Sequence, residues 1–234
     1  MHIDTDIRTG TGQPAQSGPA QRAQGGDFAA MIYDGRLSGE ALAAKQAAVA
    51  TLRESADAAV SGGGAKQFLA ALTPQDLTLL QQASGLAECI DVASLSEEGA
   101  ANLLLANDSR VDLNNDGLVE VGAARLIAFP PVNAPQAAKE AWEAATAGMS
   151  DRDRMSLTGW VALPMTFGAT MPGYSGAGPQ LGDMADAGFD WNDLIARLLD
   201  GIEASRPYNA AAQMDMLEDG VRRFGDELKS RGLG

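Results

Sequence analysis

The stretch Asp112-Leu113-Asn114-Asn115-Asp116-Gly117-Leu118-Val119-Glu120 separates two parts of the chain that both carry helical signals. Apolar residues at helical spacing, capping residues and helix breakers mark several helices on each side. The alternation of apolar and polar residues that is typical of strands is nearly absent, and no segment is repeated. We therefore predict a mainly α fold, an irregular helical assembly with long loops.

Side chains that carry an oxygen recur at alternate positions of this acidic loop (residues 112–120). Gly117 tolerates the positive φ of a sharp turn, which would point the next carbonyl inward, and a further carboxylate follows. Hard cations such as Ca2+ take about six to eight oxygen ligands in loops of this kind. The sequence therefore predicts a Ca2+ site. The predicted ligands are Asp112, Asn114, Asp116, the Leu118 carbonyl and Glu120.

The loop resembles the calcium-binding loop of the EF-hand, and its Asp-x-Asn-x-Asp-Gly-x-Val-Glu spelling is closest to the dockerin form. The resemblance covers residues 112–123 only. In that family the twelfth position carries a bidentate acid, whereas Ala123 stands there in this chain. The resemblance thus implies a weak site, with a dissociation constant of roughly 10⁻⁴ to 10⁻³ M. Three acids upstream are alternative donors: Glu97, Glu98 and Asp108.

The same residues have a second interpretation that needs no ion. Asp, Asn and Gly also form loops in which the side chains bind backbone amides in Asx turns. The helical signal before the loop is interrupted at residues 107–110, and residues 121–129 are predicted as a short helix that Pro130 and Pro131 end. A single loop with an interrupted preceding helix does not favour a sensor built from paired loops.

Composition excludes several classes of protein. A net charge of −14 argues against non-specific binding to nucleic acid or to an anionic membrane. No run approaches the roughly 18 apolar residues of a membrane span, so membrane insertion is not expected. The N-terminus lacks the basic and apolar regions of a cleavable signal, and a single cysteine, Cys89, permits no internal disulfide. These features predict a cytoplasmic protein, or one exported without a cleavable signal peptide.

Composition shifts along the chain predict three parts. Residues 1–34 are rich in Gly, Gln, Ser, Thr and Pro and are predicted as a disordered tail. Residues 35–131 form a helical region that contains the acidic loop. Residues 132–234 form a second helical region that includes a Gly/Pro/Met-rich loop at residues 164–189. That loop either covers the core between helices or forms a partner-binding surface with adaptable Met contacts.

Capping residues predict where the helices begin. A long Ala-rich helix is expected at residues 39–60 and a final helix at residues 208–229. A proline follows one of the caps, as is common in the first turn of a helix. The predicted N-caps are Ser38, Thr73, Ser96, Ser150 and Asp190.

Nothing in the sequence points to an active site. The only histidine is His2, in the predicted tail, so a Ser-His-Asp or Cys-His arrangement has no base in the folded part. Zinc sites of His and Cys cannot be assembled from one residue of each kind. An acid pair for glycoside hydrolysis stays open, because its spacing in three dimensions cannot be read from sequence. We therefore predict that the protein is not an enzyme.

Two functions follow as expectations. The first is a calcium-binding protein in which the ion stabilises a loop between helical parts. A weak site would hold no ion in a resting cytosol, so this function fits best with export or with an additional donor. The alternative is a metal-independent adaptor, or a secreted component of a bacterial secretion or motility apparatus, with an unidentified protein partner. Its basis is the predicted tail, the Ala-rich helices and the Met-bearing loop.

Overall fold

Helices dominate wherever the structure describes the chain, which confirms the predicted mainly α fold. The computed structural model describes residues 39–167 and 178–234, and these contain eight α-helices and one hairpin. The helices are α1 (Glu40–Ser61), α2 (Ala65–Ala70), α3 (Pro74–Ala83), α4 (Glu97–Leu104), α5 (Gln136–Thr146), α6 (Asp151–Phe167), α7 (Trp191–Ser205) and α8 (Ala211–Ser230). The strands are β1 (Leu118–Val121) and β2 (Ala124–Ile127), and short 3-10 helices lie at Val92–Ser94, Asn107–Ser109, Leu181–Ala185 and Arg206–Tyr208.

The predicted capping residues begin helices as expected. The side chains of Thr73, Ser96, Ser150 and Asp190 each accept a hydrogen bond from the backbone amide three residues further on. Each cap satisfies one of the amides that the first turn of a helix leaves without an intrahelical partner. The predicted cap Ser38 and the predicted tail lie outside the described residues.

The prediction of a helix at residues 121–129 is wrong, because most of this segment forms a β-hairpin with the end of the acidic loop. β1 and β2 pair antiparallel, with Leu118 opposite Ile127 and Val121 opposite Ala124. Gly122, at φ 61°, opens the two-residue turn between them. Strands of four residues carry too little pattern to be recognised, and their packing depends on residues far away in the sequence.

The predicted irregular loop at residues 164–189 is also partly wrong. α6 continues through Pro164 to Phe167, and Leu181–Ala185 forms a 3-10 helix. Residues 168–177 lie outside the described residues, so the Met171 and Tyr174 part of that prediction is not addressed.

The buried apolar residues form two main clusters. The N-terminal cluster is aliphatic and gathers side chains of α1 to α4 and β1, and the C-terminal cluster gathers α5 to α8 and is rich in aromatic rings. The N-terminal cluster comprises Leu52, Ala56, Ala65, Leu69, Leu80, Leu95, Ala100, Ala101, Leu103, Leu104, Val119 and Val121. The largest members of the C-terminal cluster are Phe129, Trp142, Leu157, Met184, Trp191, Leu194, Ile202, Met214, Leu217 and Phe224.

The hairpin is shared between these clusters. Val119 and Val121 are buried in the N-terminal cluster, whereas Leu118 and Ile127 pack against the C-terminal one. This division follows from the strand itself, because successive side chains of a strand point to opposite faces. The acidic loop, which leads into β1, therefore lies where the two clusters meet, close to the predicted boundary at residue 131.

The helices of the C-terminal cluster are organised around α8. α5, α6 and α7 each pack against α8, and few contacts join α6 directly to α7. Within the described ranges, no helix combines the length and the apolar character that crossing a membrane requires.

Candidate functional site

The backbone of the acidic loop bends at two residues with positive φ. Asn115 has φ 57° and Gly117 has φ 81°. A β-carbon on Gly117 would overlap Leu181 and would lie 2.7 Å from the Gly182 amide nitrogen. Gly117 is therefore required twice, for its conformation and for the close approach of the Leu181–Ala185 segment.

The first three predicted ligands are brought together by hydrogen bonds within the loop. Asp112 Oδ2 accepts from the Gly117 amide at 2.8 Å, and Asn114 Oδ1 accepts from the Asp116 amide at 2.9 Å. Asp116 Oδ1 accepts from the amide of Leu118, the residue whose carbonyl is the fourth predicted ligand, at 2.8 Å. These are the contacts expected of Asx turns, and each leaves one oxygen of the Asp carboxylates for a further partner.

Asp112 departs from the Asx-turn interpretation at one atom. Its side chain is only 5% exposed, and Oδ1 is buried with no hydrogen-bond partner among the described residues. A buried carboxylate oxygen without a donor or cation is costly, and such atoms in native proteins call for a specific explanation.

Glu120, the fifth predicted ligand, is engaged elsewhere. One carboxylate oxygen accepts a hydrogen bond from the Ser96 hydroxyl, and the other accepts from Arg125 Nε at 3.1 Å. The structure therefore does not bring the Glu120 carboxylate to the other predicted ligands. Ala123, at the twelfth position of the resemblance, lies in the hairpin turn and offers no side-chain oxygen.

Two side chains of α4, which we call the α4 pair, hold both ends of the loop. Glu98 accepts hydrogen bonds from the amides of Leu113 and Glu120, each at 2.8 Å. Asn102 accepts from the Val111 amide at 2.8 Å and donates to the Val111 and Glu120 carbonyls at 2.7 and 2.8 Å. The two side chains are 4% and 1% exposed. Glu98, predicted as an alternative ion ligand, thus uses both oxygens to fix the loop backbone.

Sequence reasoning missed the α4 pair, although one signal was present. Glu98 and Asn102 are four residues apart, so they lie on the same face of a helix. That spacing indicates a common face without indicating that the face is buried. The other upstream acids also lie away from the loop, since Glu97 accepts from the amides that begin α2 and Asp108 is exposed beside Ser109.

Asn133 fixes the loop from the side of the chain that follows the hairpin. Its Nδ2 donates to the Asp112 carbonyl at 2.8 Å and to Asn115 Oδ1 at 2.9 Å. Asn115 in turn donates to the Gly182 carbonyl at 3.4 Å. The acidic loop is therefore attached to α4 on one side and to the Leu181–Ala185 segment on the other.

The loop contains few carboxylates for a metal site. Across the part of the chain that the structure describes, no three His, Cys, Asp or Glu side chains group closely enough to hold a metal ion. The donors that the loop does bring together are two carboxylates, one amide oxygen and the backbone. This donor set fits a weak site for a hard cation better than a site for zinc or another soft metal.

A second candidate site is an apolar groove between α6 and α7 with a volume of about 840 Å³. Met155 at one end of the groove is 73% exposed, and Tyr208 beside α7 is 85% exposed. Exposed apolar side chains that adjoin one groove are typical of binding surfaces.

Comparisons with protein-family models, with curated proteins and with solved structures gave no match to this chain.

Proposed function

We propose that this chain is a non-enzymatic calcium-binding protein in which the ion stabilises the acidic loop between the two hydrophobic clusters. The observation that carries the proposal is the buried Oδ1 of Asp112, which has no hydrogen-bond partner among the described residues. A cation beside this oxygen would offset the cost of its burial.

The proposed inner ligands are the side chains of Asp112, Asn114 and Asp116 and the carbonyl of Leu118. Water would complete the coordination, because Ca2+ takes six to eight oxygens at about 2.3–2.6 Å. Glu120 is left out of this set, since Ser96 and Arg125 already occupy its carboxylate. Two carboxylates without a bidentate acid imply a dissociation constant of about 10⁻⁴ to 10⁻³ M.

The position of the loop explains how a weakly bound ion would act on the whole fold. The α4 pair ties the loop to the N-terminal cluster, and Asn115 and Gly117 contact the Leu181–Ala185 segment of the C-terminal cluster. An ion that binds only the folded loop stabilises the folded state by mass action. The expected role of calcium is therefore to strengthen the junction of the two clusters.

Thermal unfolding with and without calcium tests this proposal. At a calcium concentration about ten times the dissociation constant, mass action adds about 1.4 kcal/mol to the free energy of unfolding. For a chain of this size we expect the unfolding temperature to rise by about 4 °C relative to chelator. Magnesium at the same concentration controls for general screening, because it demands a stricter octahedral geometry.

Variants separate the loop from the rest of this acidic chain. Asp112→Asn and Asp116→Ala should each abolish the calcium-dependent shift. Asp226→Asn removes the same charge from an exposed position of α8 and should retain it. An unchanged unfolding temperature in millimolar calcium, an equal shift with magnesium, or a full shift in Asp112→Asn would each rule out a calcium site in this loop.

The second candidate function is a metal-independent adaptor, and the groove between α6 and α7 favours it. Met155, Leu163 and Phe167 on α6 are exposed, in a chain whose other large apolar side chains are mostly buried. A partner that copurifies with the protein in the presence of chelator would support this function. Membership of a secretion or motility apparatus, and the choice between cytoplasm and export, rest on the sequence alone.

A further inference from the structure

The groove between α6 and α7, here called the α6–α7 groove, has apolar walls on both sides. Its lining residues recur at helical spacing on each helix, so each wall is a single helix face. The central lining residues are Met155, Gly159 and Leu163 on α6 and Leu194, Leu198 and Gly201 on α7.

The dimensions of the groove suit a helix. Along α6 the lining extends from Met155 to Met165, which corresponds to about 15 Å or three helical turns. Both walls rest on α8, whereas few contacts join α6 to α7. A helix in the groove would fill the gap between them and would pack by the same side-chain ridges that join the other helices.

Two glycines leave space in the middle of the walls. A β-carbon on Gly201 would meet no atom within 4 Å, and one on Gly159 would meet only Leu163 Cδ1, at 3.8 Å. Packing within the chain therefore explains neither glycine, although glycine weakens a helix relative to alanine. Small residues on facing helices allow the backbone of a third helix to approach closely.

An acidic cavity adjoins one end of the groove. The cavity also measures about 840 Å³, and Met165 lines both the cavity and the groove. Asp116, Asp183 and Asp186 line the cavity, and no Lys or Arg among the described residues forms an ion pair with them. Phe189 adds an apolar surface against which the aliphatic stem of a long basic side chain can pack.

We infer that the α6–α7 groove binds an amphipathic helical segment of another protein, with its apolar face in the groove and Lys or Arg residues at one end over the acidic cavity. Charge complementarity selects this occupant, because an apolar groove that ends in three unpaired carboxylates favours a helix with basic residues at that end. The inference deepens the second candidate function and is independent of the calcium proposal.

A designed peptide tests the inference with the full chain in chelator, so that a failure here leaves the calcium titration unaffected. The probe is a helical peptide of about fourteen residues with Leu on one face and Lys at one end. The matched control peptide carries Glu in place of each Lys. By calorimetry, we expect the Lys peptide to bind with a dissociation constant at least tenfold lower than that of the Glu peptide.

Two variants of the chain locate the binding. Gly201→Leu places a side chain in the groove without meeting an atom at its β-carbon, and it removes a helix-weakening glycine. It should raise the dissociation constant of the Lys peptide at least tenfold without lowering the unfolding temperature. Ala50→Leu adds the same side chain to an exposed position of α1 and should change neither. Gly159→Leu provides the same test from the other wall if Gly201→Leu does not fold.

Four results would overturn the inference. They are equal affinity for the Lys and Glu peptides, unchanged binding in both glycine variants, a dimer of the chain alone that Gly201→Leu dissociates, and peptide binding that begins only after residues 168–177 are replaced by a Gly/Ser linker of equal length. The third result would assign the groove to a second copy of the chain, and the fourth to the chain's own segment.

Discussion

α4 and α6 place their side chains in opposite environments. Every residue of α4 from Glu98 to Leu104 is buried, including two polar side chains. α6 is twice as long and leaves Met155, Leu163 and Phe167 exposed. Buried polar groups and exposed apolar groups are the informative exceptions to ordinary burial. On α4 the exceptions mark contacts that fix the acidic loop, and on α6 they mark a surface available to a partner.

The polar groups of α4 are tolerated because each has a partner. Glu98 and Asn102 bind backbone atoms of Val111, Leu113 and Glu120, and these atoms would otherwise lack partners inside the protein. The loop therefore depends on α4 for its conformation. α6 has no comparable obligation, because its core contacts come from a few residues on one face.

The largest effect is expected from Asn102→Ala. The substitution removes three hydrogen bonds and leaves the polar atoms of Val111 and the Glu120 carbonyl unsatisfied. We expect the free energy of unfolding to fall by about 3 kcal/mol, measured by urea denaturation. The exposed Asn192 of α7 provides a matched control, and Asn192→Ala should stay within about 0.5 kcal/mol of the parent. Similar losses for the two variants would remove the distinction drawn for α4.

Alanine at two helical glycines should have effects of opposite sign. In Gly99→Ala of α4, the new β-carbon would overlap the Gly122 carbonyl oxygen of the hairpin turn, and a backbone atom cannot rotate away. We expect a loss of about 2 kcal/mol. In Gly159→Ala of α6, the new carbon meets only Leu163 at 3.8 Å, so we expect a gain of up to about 1 kcal/mol from helix propensity. Thermal and urea unfolding of both variants measure the signs, and a loss in Gly159→Ala would mean that the α6 wall is already packed.

The smallest effect is expected from polar groups at the surface, which contrast with the buried α4 pair. Hydrogen bonds from Arg222 and then Arg206 hold the pKa of Glu218 on α8 below its ordinary value. A carboxyl whose pKa is lower in the folded state adds stability above the unfolded pKa, and that stability is lost as pH falls through the folded pKa. The parent should therefore be slightly more stable than Glu218→Gln at pH 7.

The difference between these two proteins should disappear as the pH falls below about 4, where a glutamate ordinarily titrates. Urea unfolding from pH 7 to pH 3 measures it, and the comparison with Glu218→Gln cancels the titration of the other acids. A difference that grows toward low pH would contradict the lowered pKa of Glu218.

Local signals in the sequence predicted most helices, and non-local contacts account for what was missed. Thr73 and Asp190 could be recognised as caps because the amides they bind are three residues away. The hairpin could not, since Val119 and Val121 are held by apolar residues of helices far along the chain. The prolongation of α6 beyond Pro164 also depends on tertiary packing, because Met165 is buried in the C-terminal cluster.

The candidate site divides in the same way. The spacing of Asp112, Asn114 and Asp116 was enough to predict that these side chains turn into one loop, because their partners are amides within the loop. The placement of Glu120 was not predictable, because Ser96 and Arg125 compete for its carboxylate. The oxygen that carries the calcium proposal, Asp112 Oδ1, is defined by burial, which a local motif does not specify.

The alternation of β1 has a consequence for how the molecule opens. Val119 and Val121 belong to one cluster and Leu118 to the other, so separating either cluster from β1 exposes apolar surface in both. Hydrogen exchange of the β1 amides should therefore require the cooperative unfolding of both halves, and a fragment that ends before the hairpin should not form an autonomous folding unit.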